Sequence, residues 1–157
     1  MIRVQAEPFD LAEAFTLQAG RTDVGGLACF IGSVRDLTAG ANVTALELQH
    51  YPGFTEQTIQ RIHDEAAARF DILDQLIVHR YGKMFPGDPI VLVSTISTHR
   101  EAAFDGARFV MDALKTGAPF WKKEVGPDGE RWIEPRSEDY AASARWVDVM
   151  AAEGQDS

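Results

Sequence analysis

The sequence predicts an α+β domain. It contains β-branched and alternating apolar runs alongside segments with helical spacing. The two kinds do not alternate as regular strand-helix-strand units, which argues against an all-parallel sheet. A length of 157 residues suits one domain with a substantial core. That domain is expected over 1–150, followed by a polar tail at 151–157 that starts to fray from about Glu153.

Ile2 to Val4 begins a strand. Asp10 predicts an N-cap, with Glu13 three residues on, and Leu11, Ala14 and Phe15 recur at helical spacing until Gly20. Gly26 to Val34 reads as a buried strand in which Cys29 is a small buried hydrophobe. From Val43 to Tyr51 the pattern alternates, with Leu46, Leu48 and His50 on one face and Glu47, Gln49 and Tyr51 on the other. Pro52-Gly53 breaks it. Thr55 is then expected to cap a helix with the apolar stripe Ile59, Ile62, Ala66 and Phe70.

Gln75 to Tyr81 reads as a half-buried strand and Phe85 to Asp88 as a turn. Ile90 to Ser97 is β-branched and apolar, as in a central strand. Thr98 to Glu101 has the form of a capping box that would put His99 and Arg100 in the first helical positions. Phe104, Ala107, Met111 and Leu114 would continue that helix, Gly117 would end it in the left-handed conformation, and Pro119 would block its extension. Phe120 to Val125 and Arg131 to Glu134 are strands around the turn Gly126-Pro127-Asp128-Gly129. Ser137 would cap a last helix carrying Tyr140, Ala144 and Val147.

The formal net charge of -9 argues against a general nucleic-acid binder, yet leaves room for a focused positive cleft. A single cysteine excludes an intrachain disulfide and a cysteine-rich metal site, and fits a cytoplasmic setting. The N-terminus lacks the apolar core of a signal peptide, and no apolar run approaches a membrane span. His50, His63, His79 and His99 lack metal-ligand spacing, so neither metal nor cofactor is expected. His50 and His79 fall in strands, where a hydrogen-bonded core or edge histidine is the default.

The chain has four lysines, and Lys115, Lys122 and Lys123 fall in one segment with Gly117, Pro119, Phe120 and Trp121. Positive charge beside rigid apolar anchors, in an acidic protein, suits an anion-handling site. Lys115 alone could simply offset a helix dipole. If Phe120 to Val125 is extended, Lys122 and Lys123 point to opposite faces, and Lys122 shares its face with Phe120 and Glu124. His99 and Arg100 at a helix N-terminus could seat a phosphate or carboxylate, or Arg100 could pair with a nearby acid. Gly32-Ser33-Val34-Arg35 could present backbone N–H groups and a guanidinium to an anion where a strand enters a loop.

Five segments carry a family resemblance: Phe30 to Arg35, Leu48 to Gly53, His79 to Gly82, Thr98 to Phe104, and Leu114 to Glu124. Together they resemble the large, catalytic subunit of molybdopterin synthase, the MoaE family of molybdenum cofactor biosynthesis. The resemblance implies an α/β hammerhead-like domain with an additional small antiparallel β-sheet. It implies a sulfurtransferase that takes two sulfurs, in turn, from the C-terminal Gly-Gly thiocarboxylate of a small ubiquitin-like carrier subunit (MoaD type). The acceptor would be cyclic pyranopterin monophosphate and the product the dithiolene of molybdopterin. The implied assembly is a homodimer within a heterotetramer, with no nucleic acid and no membrane. Carried over by position, the substrate-binding residues would be Ser33, Val34, Arg35, His99, Arg100, Lys115, Lys122, Lys123 and Glu124, with Lys115 and Lys122 catalytic. Many relatives carry lysine where Ser33 stands, so a backbone contact is expected there. Lys115 would donate a proton, stabilise charge or engage the carrier's carbonyl. A non-enzymatic module that binds an anionic ligand or an acidic protein tail is the alternative.

Overall fold

The structure is a computed structural model that describes residues 1–38 and 41–153. Its α+β class matches the sequence. One sheet has the order β1 (Ile2–Gln5), β6 (Asp74–Arg80), β8 (Pro89–Ser97), β2 (Gly26–Ser33). The pair β1 and β6 is parallel, and the other pairs are antiparallel. A second, antiparallel sheet has the order β10 (Gly129–Ile133), β9 (Phe120–Gly126), β5 (Ala45–His50), β7 (Gly82–Met84). The short strands β3 (Leu37–Thr38) and β4 (Ala41–Asn42) pair with each other.

Helices cover the first sheet because its strands are apolar on both faces. On one side α1 (Phe54–Arg69) and α2 (Arg100–Gly117) pack Ile59, Ile62, Ala103 and Val110 against Ile77, Val91 and Val93. On the other, a 3-10 helix at Leu11–Gln18 brings Ala14 over Leu76, Val78 and Leu92. With both faces covered, β6 is a buried inner strand rather than the half-buried one expected. The Arg80 guanidinium is buried too, donating to the carbonyls of Ala6 and Pro89. The second sheet has its own small core of Val34, Leu46, Leu48 and Met84.

Several local expectations are corrected. Asp10 does form its capping box, but the segment it starts is a 3-10 helix. There the Ala14 carbonyl accepts from Ser94 Oγ at 2.7 Å, tying it to the sheet. The strand β2 lies at the sheet edge, so Cys29 is exposed rather than buried. Thr55 is not the cap of α1. Gly53 holds that position with φ 84°, and its N–H donates to Glu56 Oε2 at 2.6 Å. Buried Thr55 instead clasps the backbone of Tyr51, accepting from its N–H and donating to its carbonyl.

The helix α2 begins at Arg100 with His99 as its N-cap, and Thr98 makes no capping box. Ser97 Oγ accepts from the His99 N–H at 3.1 Å instead. The buried stripe of α2 is Ala103, Gly106, Ala107, Val110 and Leu114, while Phe104 is 63% exposed. Gly106 sets that rotation: a Cβ there would lie 2.6 Å from Ile72 Cδ1, so this turn sits hard against its neighbours. Gly117 remains within the helix and is not left-handed. The chain leaves α2 at Ala118, extended at φ -78°, ψ 133°, because the following proline disfavours the helical conformation.

The last helix, α3 (Ser137–Glu153), starts at Ser137, but Asp139 supplies the polar contact at its start by accepting from the Arg136 N–H at 3.0 Å. Tyr140 and Val147 are exposed, and Trp146 makes the packing contact, edge-on to Phe70 and Phe109. Trp146 Nε1 donates to Asp112 Oδ2 at 2.9 Å, and Thr116 and Ser143 share a 2.6 Å hydrogen bond. These bonds fix α3 on α2. The polar tail expected at 151–157 overlaps α3 as far as Glu153, and 154–157 lie outside the described residues.

Gly25 marks a point where the backbone cannot give way. A Cβ there would lie 1.9 Å from the Thr98 carbonyl oxygen, just before α2. Gly25→Ala is expected to destabilise the protein by about 1–3 kcal/mol, read as a lower urea midpoint. An unchanged midpoint would show that this junction yields.

Candidate active site

Where the two sheets meet, a cavity of about 380 Å³ opens at the C-terminal end of α2. That volume is enough for a small ligand. The floor is apolar, from Leu46, Leu48, Ile90, Met111, Leu114 and Phe120. Arg35, Lys115, Lys122 and Arg136 bring four cations to its lining, against the three carboxylates Glu134, Glu138 and Asp139. The segment from Ile133 to Asp139, leading into α3, forms the remaining wall.

Strand alternation decides which lysine enters. In β9, Phe120 and Lys122 face the cavity. Lys123 faces the opposite side, bonded to Glu47 and Glu130 at 3.1 and 3.0 Å and lying over the Trp132 ring. The expected separation of the two lysines is therefore present, and Lys123 is absent from the cavity lining. Lys115 comes from the last turn of α2, where a cation also offsets the helix dipole. Its Nζ lies 3.0 Å from Asp139 Oδ1. Burial alone would raise the Asp139 carboxyl, but the Arg136 N–H and the Lys115 ammonium outweigh it and hold it below its ordinary value.

Burial is the largest influence on Lys122. It pushes the ammonium below its ordinary pKa, and Arg35, Arg136 and Lys115 push the same way against the opposing pull of Glu124. Glu124 is buried in a small annex, 2.8 Å from Arg131 Nη2 and 3.8 Å from Lys122 Nζ. Ser33 and Arg35 line both cavity and annex. Val34 lines only the annex, and its backbone is already used: its N–H donates to Asp88 O and its carbonyl accepts from Gly87 N.

His99 and Arg100 lie elsewhere. They stand at the N-terminal end of α2, beside the start of β2, while the cavity is at the end of β2 and the far end of α2. An 18-residue helix spans about 27 Å.

The model of the "MoaE protein" family matches residues 4–117. The chain belongs to the MoaE family. The molybdopterin synthase catalytic subunit of Ralstonia nicotianae is 51% identical over 146 residues, covering 92% of this chain and 83% of that protein. The subunit of the same name from Escherichia coli K12 is 44% identical, covering 92% of this chain and 97% of that protein. Among solved structures, the MoaE protein of Burkholderia ambifaria MC40-6 is 53% identical with a TM-score of 0.79, covering 94% of this chain and 97% of that one. Molybdopterin synthase from Staphylococcus aureus is 29% identical with a TM-score of 0.76, covering 83% and 94%. Against this MoaE frame, the cavity gathers Ser33, Arg35, Lys115 and Lys122, with Val34 and Glu124 in the annex.

Five titratable lining residues escaped the sequence: His79, Glu134, Arg136, Glu138 and Asp139. Arg136 left one trace, because a cation just before a helix N-terminus opposes the dipole unless it serves something else. His79 sits in β6 with its ring stacked on Phe120, centroids 3.9 Å apart at 16°. Its Nδ1 lies 2.9 Å from the Arg80 carbonyl. Burial pushes its imidazolium down to about 4 from 6.5, with neighbouring His50 acting in the same direction and the Arg80 bond opposing.

The His79 shift predicts a component of acid instability. Between its folded value of about 4 and its unfolded value of 6.5 the unfolded chain binds more protons. Stability should fall as pH drops through that window, by up to about 3 kcal/mol from this group, and the contribution should level off below it. Urea denaturation at stepped pH should show a shallower fall for His79→Gln. Equal slopes in both proteins would mean that His79 does not titrate this way.

Proposed function

We propose that the chain is the catalytic subunit of a molybdopterin synthase, making molybdopterin from cyclic pyranopterin monophosphate. The sulfur comes from a small ubiquitin-like partner whose C-terminal Gly-Gly ends as a thiocarboxylate. The observation that carries this reading is the four-cation cavity in a chain of net charge -9. A phosphate and a tail carboxylate are two anions, and holding both together needs opposing charge fixed in place beforehand. Cys29 does not line the cavity, so the reacting sulfur is brought in. Each transfer forms a C–S bond at a precursor carbon, from which an oxygen substituent leaves, and breaks the acyl C–S bond of the tail, with water supplying the oxygen that turns the tail into a carboxylate.

Within this reading the two catalytic lysines divide the work. Lys122 is pushed toward its neutral amine by burial and by the cations around it, so it suits proton transfer. Lys115, held by Asp139, supplies charge and position at the wall formed by α3. Reconstitution with thiocarboxylated carrier and precursor should yield the dithiolene product. Lys122→Arg keeps the charge but holds its proton too tightly, so it should retain precursor affinity and lose turnover at least about 100-fold. Lys115→Arg should retain more activity than that. Near-normal turnover by Lys122→Arg would remove the proton-transfer role, and absence of product from the unmutated protein would refute the function.

We also propose that the working unit is a homodimer, with the partner copy supplying His99 and Arg100 to the cavity. Two facts support it: the length of α2 separates these residues from Lys115, and the β2 edge carries exposed Phe30 while α2 carries exposed Phe104. The reading predicts complementation. Mixing Lys115→Ala with Arg100→Ala protein under exchange should restore about a quarter of normal activity, since half of the dimers are mixed and each mixed dimer has one intact site. If both residues act within one protomer, no activity returns.

A further inference from the structure

We infer that His79 is a specificity-determining residue on the cavity floor, whose Nε2 accepts a hydrogen bond from an amide-type N–H of the bound ligand. The inference rests on the function proposed above and extends it to a second kind of contact.

The tautomer is fixed by geometry. The partner of Nδ1 is the Arg80 carbonyl, which can only accept, so Nδ1 carries the proton. The low imidazolium pKa keeps the ring neutral at physiological pH. Nε2 is then a bare acceptor. Among the described residues it has no hydrogen-bond partner, and it is not sealed from solvent as His50 Nδ1 is. The ring lines the cavity. Its plane is held by the stack on Phe120 and by its place in an inner strand of the first sheet.

The chemistry around it makes this acceptor selective. Arg35, Lys115, Lys122 and Arg136 are hydrogen-bond donors when charged, so they recognise acceptors and anions. His79 Nε2 asks for the reverse, and it does so on the floor, while the acceptor carboxylates Glu134, Glu138 and Asp139 belong to the wall leading into α3. A ligand that satisfies both presents an anionic group to the cations and a planar N–H to the floor. An anion without an N–H uses only half of the site. Two ligands of the proposed reaction have the required form. The Gly-Gly tail has peptide N–H groups behind a terminal carboxyl group, and the pterin has ring N–H groups apart from its phosphate.

The test compares His79→Phe, which keeps an aromatic ring against Phe120 but has no acceptor, with His79→Gln, which can place an amide oxygen near the Nε2 position. Calorimetry would use three probes separately: the precursor, the carrier with its Gly-Gly tail, and inorganic phosphate. His79→Phe should weaken the N–H ligand about tenfold, the scale of one buried polar group left unpaired. His79→Gln should recover most of that loss, and phosphate should bind all three proteins alike. Loss confined to the precursor assigns the bond to the pterin ring, and loss confined to the carrier assigns it to the tail. In the unmutated protein, the Nε2 nitrogen-15 resonance should shift when the same ligand is added, a readout that does not depend on how well the variants fold.

Equal affinity of His79→Phe and the unmutated protein for both N–H ligands would overturn the acceptor role alone. So would an equal loss of phosphate binding, or an Nε2 resonance that stays in place at saturation. Unmutated protein that binds neither precursor nor carrier would overturn the proposed function and this inference with it.

Discussion

The site depends on the register between β5 and β9. Leu48 is paired with Lys122 and Glu47 with Lys123. That pairing places Lys122 over the cavity and gives Lys123 to Glu47 on the far side. A one-residue slip of β9 would exchange the two lysines, because side chains alternate at every position of a strand. Register is well specified here by burial. Leu46, Leu48 and Glu124 are buried on the cavity side, so a slip of β9 would turn Glu124 outward and a slip of β5 would expose the leucines. The Gly126–Gly129 hairpin, with Gly129 at φ 113°, ties β10 to the same frame and sets Arg131 across from Glu124.

Around that register the molecule manages a concentration of like charge. Four cations about one cavity repel each other, and the carboxylates that offset them are placed at the margins. Glu124 lies in the annex with Arg131, and Asp139 sits at the start of α3 with Lys115. Asp139 pairs directly with Lys115, and Glu134 and Glu138 line the same wall, so the cations of the lining exceed its carboxylates by one. The depressed pKa of Lys122 is the residue of this arrangement, with burial first and its neighbours second. The fixing of α3 by Trp146, Ser143 and Asp112 belongs to the same account, since without it Arg136 and Asp139 would not be held over the cavity.

Much of this was legible in the sequence, for reasons that differ by element. The alternation in β5 and β9 survives in the structure because each strand has one buried and one open face, the condition under which period two is informative. The helix starts were less legible. Thr98 and Thr55 have the right chemistry for caps, but the N-caps are His99, whose N–H donates to Ser97 Oγ, and Gly53, whose N–H donates to Glu56. Phe104 fits a helical stripe by spacing, and only the close approach of Gly106 to Ile72 reveals that it faces outward. Cys29 looked buried because β2 is apolar, and nothing local announces that β2 is an edge strand. In the site, Lys122 was readable from alternation. His79 and Arg136 were not, because their place in the cavity comes from how β6 and α3 meet the second sheet, a long-range arrangement with no short sequence signature.

The central claim is that this cavity, on the Lys122 side of β9, is where the anionic substrate is held. A co-crystal structure with cyclic pyranopterin monophosphate tests it most directly. The account predicts ligand density inside the cavity, in contact with Arg35 and Lys122 and against the floor formed by Phe120. Ligand seated on the opposite face of β9, beside Lys123 and Trp132, with the cavity left to solvent, would contradict it.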